Sequence, residues 1–156
     1  MYSPLLIANK FIELGLANNT PITQMQAQKL TYIAHGVSLG HRGAGILSDP
    51  VCAWRYGPVM PSLYHALKHY GKTPICQPVD MTNASSSNND QYLNGLVRNV
   101  FDTYGKYNAE TLSEFTHRSG TPWYQTYHAG NTIISDELIK NYYQRLMARD
   151  PSCIGL

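Results

Sequence analysis

The clearest helical pattern in the chain is TQMQAQKLTYIAHGVSLG, which spans residues 23–40. The helix begins either at Thr20-Pro21 or at Thr23, which Gln26 follows at the spacing of a capping box that satisfies free amides at a helix start. From there Leu30, Ile33 and Val37 recur every three or four residues, so they lie on one face of a helix. This segment therefore predicts a long helix with one buried face.

Two glycines lie in the second half of this helix. Gly36 and Gly40 each cost about 1 kcal/mol relative to alanine in a helix interior. Residues with that cost are typical either of a loose helix end or of a place where another element packs very closely. The sequence leaves both interpretations open.

Similar patterns on both sides of this segment predict further helices. We expect them over residues 4–16, 58–70, 93–104, 109–117, 122–130 and 136–149. Ser3, Asn108, Thr121 and Ser135 stand directly before four of these stretches, where a small polar side chain caps a helix. We therefore predict a mainly α fold, a compact single-domain helical bundle of six or seven helices.

Three short stretches do not fit the helical pattern. The apolar run Val51–Trp54 follows an Asp-Pro pair and predicts a small strand. We expect it to belong to a short strand pair near residues 47–56 and 74–79. Residues 81–90 are rich in Asn and Ser, which is typical of a polar surface loop.

The composition is that of an ordinary globular domain. The chain has 156 residues, and its 12 basic and 10 acidic groups make 14% of them, against about 25% in an average soluble domain. Together with 43% hydrophobic residues, this excludes the charged kind of intrinsic disorder. We expect a single domain over residues 1–156, with a core over about 4–148.

Charge and hydropathy disfavour two classes of partner. The net charge is only +2 and no run of Lys or Arg occurs, so a footprint for a nucleic-acid backbone is missing. Gln24, Gln26, Gln28 and Lys29 would be the best candidates on a DNA recognition helix, but they lack basic support. No apolar run approaches the roughly 18 residues of a membrane helix. We expect neither nucleic acid nor a membrane as partner.

The cysteines indicate the compartment. Cys52, Cys76 and Cys153 are odd in number, widely spaced and form no CxxC, so neither a disulfide framework nor a zinc ribbon is predicted. The first residues lack the features of a secretory signal. Both observations favour the reducing cytoplasm.

The residue patterns of common active sites are missing from the sequence. It contains no Gly-rich phosphate loop and no GxSxG elbow. His65 and His69 have the i, i+4 spacing of metal ligands, but no acidic residue stands between them and no third ligand is evident. We therefore expect no catalytic residue, no metal and no cofactor.

Aromatic residues beside Gly and Pro are the most distinctive feature. Residues 54–59 read WRYGPV, and residues 116–124 read THRSGTPWY. Large rings of this kind either fill a core or form a protein-binding surface, because Tyr, Trp and Arg concentrate at binding hot spots. Both interpretations stay open on composition alone.

These segments belong to a longer series of motifs. In chain order they are QKLTY at 28–32, AWRYGPVMPSLY at 53–64, LKHYG at 67–71, LSEFTH at 112–117, PW at 122–123 and the closing helix over 134–143. The series resembles the Panacea domain, the SocA-like antitoxin family, over about residues 4–148. The chain differs from the family pattern at 118–120, where Arg-Ser-Gly stands in place of a common acidic residue, and the loop at 81–90 is a local elaboration.

The resemblance implies a mainly helical domain that neutralises a toxin protein encoded by the adjacent gene, by binding it directly. Toxins of this family are varied, and many of its members lie on prophages. Some members are proteolytic adaptors that deliver the toxin to a protease, which is one alternative, and a DNA-binding regulator of its own operon is another. No catalytic residues are established for the family. The residues expected to form the shared surface or to support it are Trp54, Arg55, Tyr56, Pro58, Thr116, His117, Trp123 and Tyr124.

Overall fold

The computed structural model describes residues 1–81 and 90–151. Within these ranges the chain forms seven α-helices and three short strands, which confirms the mainly α prediction. The helices are α1 (Pro4–Ala17), α2 (Gln24–Arg42), α3 (Pro61–Leu67), α4 (Gln91–Tyr104), α5 (Ala109–His117), α6 (Pro122–His128) and α7 (Asp136–Arg149). The interior of the predicted polar loop and Cys153 lie outside the described residues. No helix in the described part of the chain is long and apolar enough to cross a membrane.

The helix starts are set by local side chains, as the sequence predicts. The capping box of α2 is complete: the Gln26 amide donates to Thr23 Oγ1 at 3.3 Å, and the Thr23 amide donates to Gln26 Oε1 at 2.8 Å. Ser3, Asn108, Thr121 and Ser135 cap α1, α5, α6 and α7 in the same manner. Each of these caps satisfies an amide that the helix itself cannot pair.

Helix α2 is the centre of the fold. All of its residues from Ala27 to Leu39 are buried, and it packs against α1, α4, α5 and α7. A helix buried on every side has to accept its neighbours around its whole circumference. It therefore fixes the positions of the other helices and of the strands that follow it.

The two glycines of α2 allow α7 to approach closely. A Cβ atom at Gly36 would lie 2.2 Å from Cε2 of Tyr143, and one at Gly40 would lie 2.9 Å from Cβ of the same tyrosine. Real Cβ contacts are longer than this, so only glycine fits at the observed separation. Close packing, rather than a loose helix end, therefore explains both glycines.

A small antiparallel sheet lies beside α2. Its strands are β1 (Val51–Trp54), β2 (Gly57–Val59) and β3 (Ile133–Ile134), in the order β2-β1-β3. Trp54 pairs with Gly57, so only two residues connect β1 to β2. The strand predicted over Val51–Trp54 is confirmed.

Two predictions are wrong, one of a strand and one of a helix start. Residues 74–79 form no strand, since Pro74 and Pro78 lack the amide that a ladder requires. The third helix begins at Pro61 and not near residue 58, because Gly57–Val59 pairs with β1 and Gly57 has a φ of 116°, outside the helical range. The actual partners of β1 are β2, which is close in sequence, and β3, which is distant.

A buried histidine joins α2 to α7. His35 is 2% exposed, and its Nδ1 accepts the amides of Ile46 and Leu47 at 3.1 and 3.3 Å. Because Nδ1 is an acceptor, Nε2 carries the proton and donates to Asp136 Oδ1 at 2.9 Å. Both ring nitrogens of His35 are therefore used to hold the fold together.

Candidate functional site

The β1–β2 hairpin carries Arg55 and Tyr56 at its tip. The turn between the strands consists of these two residues, and both are exposed. The Tyr56 side chain is 64% exposed, and the Arg55 guanidinium lies 5.4 Å from the centroid of its ring. An aromatic ring and an arginine are thus presented to solvent on a short, tightly paired element.

Helices α5 and α6 hold this hairpin in place. Trp123 Nε1 donates a hydrogen bond of 2.6 Å to the carbonyl of Trp54, at the end of β1. Ser113 Oγ donates one of 2.9 Å to the carbonyl of Tyr56, on the other side of the turn. The His117 ring packs edge to face on Trp123, with centroids 5.4 Å apart. The backbone of the turn is therefore fixed on both sides.

The eight residues predicted for the site fall into three groups. Arg55, Tyr56 and Tyr124 are exposed, Trp54 and His117 are half-buried, and Pro58, Thr116 and Trp123 are buried. Trp123 bonds to the end of β1, Pro58 is part of β2 and Thr116 bonds within α5, so the buried members lie beneath the surface. Tyr124 stacks on His128, with centroids 4.0 Å apart, and does not line the pocket described next.

A pocket of about 510 Å³ opens beside the hairpin tip, and we call it the hairpin pocket. Its walls include Met25 and Lys29 from α2, Trp54 and Tyr56 from the hairpin, and Tyr64 from α3. The rings of Trp54 and Tyr64 meet edge to face, with centroids 5.2 Å apart. Its volume lies within the range of about 300–1,000 Å³ that is common for ligand-binding pockets.

Lys29 is the unexpected member of this site. Its side chain is only 2% exposed, and Nζ donates to the carbonyl of Pro58 at 3.0 Å. A Cβ atom at Gly57 would lie 2.8 Å from Nζ, so the glycine makes room for the ammonium. Burial lowers the pKa of Lys29 to about 7, because desolvation disfavours the charged form.

The sequence pattern did not predict this role. Lys29 lies in the motif at 28–32, and by sequence alone it was only a weak candidate for DNA contact. Its burial follows from the hairpin, which covers that face of the helix. The sequence carries no signal for this burial, because the contacts of Lys29 with Gly57 and Pro58 join segments that meet only in the folded chain.

The glutamines of α2 are also used inside the fold. Gln28 Nε2 donates to the carbonyl of Met60 and its Oε1 accepts the Met60 amide, both at 3.1 Å. Gln26 completes the capping box and donates to the carbonyl of Tyr107 at 3.0 Å. These side chains are therefore engaged with backbone and are not presented to the base edges of DNA.

Comparison with known proteins identifies the family of this chain. The family model described as "Antitoxin SocA-like, Panacea domain" matches residues 28–124, that is, from Gln28 to Tyr124. The chain belongs to this family. The region matched to the Panacea domain contains the β1–β2 hairpin, Lys29, helix α5 and the first residues of α6, including Trp123. It ends before β3 and α7.

A curated relative supports the same family. The antitoxin SocA of Caulobacter vibrioides (strain NA1000 / CB15N) is 29% identical over 124 residues, which are 75% of this chain and 66% of the relative. The Panacea-domain chain thus spans just under two thirds of the length of that antitoxin. No solved structure matches the chain.

Proposed function

We propose that this chain is the antitoxin of a toxin–antitoxin system and that it neutralises a cognate toxin protein, encoded by the adjacent gene, by direct binding in the cytoplasm. Membership of the SocA-like family supports an antitoxin role. The observation that carries direct binding is the hairpin tip, where the exposed Tyr56 stands on a turn held from both sides by α5 and α6. Aromatic and arginine side chains on rigid elements are the usual hot spots of protein interfaces.

The geometry around the hairpin favours binding over catalysis. Ser113 Oγ lies 3.3 Å from His117 Nδ1, which is the pairing a nucleophile would need. However, Nδ1 also contacts the Ser113 carbonyl, an acceptor, so Nδ1 carries the proton and cannot accept another from the hydroxyl. Ser113 Oγ already donates to the Tyr56 carbonyl. The pair therefore serves to position the hairpin.

The test is co-expression with the product of the adjacent gene, followed by affinity purification and a growth assay. We expect the product of the adjacent gene alone to stop growth. Co-expression of this chain should restore growth, and the two proteins should purify as a stable complex. Tyr56→Ala should weaken the complex about tenfold or more, as truncation of a hot spot does. The matched control is Ile133→Ala, which also removes an apolar side chain that is 59% exposed but lies on β3.

The outcomes separate this proposal from the alternatives. Loss of the toxin in place of a complex would indicate delivery to a protease. A harmless neighbour that does not co-purify would refute the antitoxin proposal for this pair of genes. Binding to the chain's own promoter with a steep dependence on salt would then favour a DNA-binding regulator.

A further inference from the structure

The hairpin pocket is lined by Lys29, a buried amine with unused hydrogen-bonding capacity. An ammonium has three N–H donors, and among the described residues Lys29 Nζ has one acceptor, the carbonyl of Pro58. No acidic side chain of residues 1–81 and 90–151 forms an ion pair with Lys29. Burying a charge without a counter-ion is costly, and the lowered pKa of Lys29 reflects that cost.

The rest of the pocket defines what would complement this charge. The side-chain amide of Gln28 forms both of its hydrogen bonds with the Met60 backbone, so it is not a hydrogen-bond partner of Lys29. The second charged residue in the lining is Arg55, again a cation, and the lining contains no acidic residue. A ligand for this pocket should therefore carry a negative charge.

The remaining lining residues are mostly apolar, so they favour a ligand with an apolar group next to its negative charge. Met25, Trp54, Tyr56 and Tyr64 surround the space beside Lys29. Met25 and Tyr56 are 37% and 64% exposed, which leaves apolar surface uncovered at the rim of the pocket. Uncovered apolar surface around a buried charge is typical of a site that a partner completes.

We propose that the hairpin pocket receives an acidic side chain of the toxin together with a neighbouring large apolar side chain, with the carboxylate against Lys29 and the apolar group against Trp54 and Tyr64. This inference rests on the proposed function, since the toxin supplies the occupant. A carboxylate at Nζ makes charge-assisted hydrogen bonds, which are stronger than neutral ones. Because the ammonium is held in place by the Pro58 carbonyl, the pocket discriminates against segments that lack an acid.

The first test measures the affinity of the purified product of the adjacent gene for three forms of the chain. Lys29→Met removes the charge and keeps an unbranched side chain, and it should weaken binding about thirtyfold or more, as loss of one partner of a buried charge pair does. The control Lys72→Met removes an exposed lysine and should leave affinity unchanged. Circular dichroism of each variant establishes that it is folded.

A second pair of variants tests the charge of the occupant without changing Lys29. Gln24 lies in the lining at the first residue of α2. Gln24→Glu adds a negative charge that repels an acidic segment, and the N-terminus of a helix tolerates glutamate well. We expect Gln24→Glu to bind the toxin more weakly than Gln24→Lys. The reverse order, or equal affinities, would contradict an acidic occupant.

The results distinguish failure of this inference from failure of the proposed function. If the toxin binds wild type and Lys29→Met equally, the pocket proposal is overturned and the antitoxin proposal stands. If the toxin does not bind wild type, the antitoxin proposal fails, and small probes then decide the chemistry of the pocket. For that purpose 4-phenylbutanoate and its amide are titrated into the ¹⁵N-labelled chain. Larger shifts at Lys29 and Tyr56 with the acid, lost in Lys29→Met, support the inference, and equal shifts with acid and amide overturn it.

Discussion

The substitution Gly36→Ala measures how much the close packing of α2 against α7 contributes to stability. A Cβ atom at this position would lie 2.2, 2.5 and 2.6 Å from three atoms of the Tyr143 ring. That ring is 3% exposed and packs edge to face on Tyr32, with centroids 6.3 Å apart, so it cannot swing into solvent without losing contacts. The added methyl group must therefore push the two helices apart or displace the ring.

The net effect is the sum of two opposing contributions. Overpacking a well-filled interior costs about 1–3 kcal/mol, and disturbing an aromatic pair adds about 0.5–1.5 kcal/mol. Replacing glycine by alanine in a helix returns about 1 kcal/mol. We expect Gly36→Ala to lower the free energy of unfolding by about 2 kcal/mol.

Gly95→Ala is the matched control. Gly95 lies within α4, is exposed, and has no atom within 4 Å of its would-be Cβ. The same change in chemistry should therefore raise the free energy of unfolding by about 1 kcal/mol. The two variants should differ by about 3 kcal/mol, which is about 1.5 M in the urea midpoint at a typical slope of about 2 kcal/mol per M.

Urea unfolding followed by circular dichroism measures both midpoints. A Gly36→Ala midpoint at or above that of Gly95→Ala would refute the packing argument. A further variant locates the contact: in a Tyr143→Leu background the cost of Gly36→Ala should fall, since the ring atoms it meets are gone. An unchanged cost in that background would show that the clash lies elsewhere.

Three further predictions concern the capping, the hairpin and the buried lysine. Trp123→Phe keeps a ring but removes the donor to the Trp54 carbonyl, so it should destabilise the fold by about 1–3 kcal/mol, and an unaltered melting temperature would contradict the role of that bond. Thr23→Ala should cost about 1 kcal/mol through loss of the cap of α2, whereas Thr20→Ala, three residues earlier and exposed, should be nearly neutral in the same urea assay. The folded pKa of Lys29, about 7, lies below its ordinary value of 10.5, so the unfolded chain binds more protons between these values and stability rises with pH. From pH 6 to pH 9 wild type should therefore gain about 2–3 kcal/mol relative to Lys29→Met, and parallel pH profiles of the two proteins would contradict the burial of a charged amine.

The sequence predicted what local signals determine. Helix starts depend on a capping side chain and the residues that follow it directly, so Ser3, Asn108 and Ser135 could be identified without any knowledge of the fold. Strand pairing depends on distant residues. The partner strand of β1 at Ile133–Ile134 has only two residues, too few to show the alternating pattern of a strand. Residues 74–79 were predicted as the partner instead.

The site was predictable in part for the same reason. The motifs grouped Trp54, Tyr56 and Trp123, and the structure places all three at the hairpin or against it. Whether each of these residues is exposed or buried depends on which distant elements pack over its side chain. Local sequence does not determine that packing. The burial of Lys29 was missed because it requires β2 to lie across α2, a contact between elements that are separate in sequence.

Under the proposed function, the order of the elements along the chain makes toxin neutralisation depend on completed translation. Helix α7 and strand β3 are the last described elements, yet α7 packs on α2 and β3 pairs with β1. A nascent chain that lacks them exposes the apolar surface of α2 and an open strand edge, features that attract proteases and promote aggregation. Prematurely terminated products should therefore be degraded without protecting the cell. Under the proposed function, a cell whose ribosomes stall would stop producing functional antitoxin while the mRNA that encodes the antitoxin is still present.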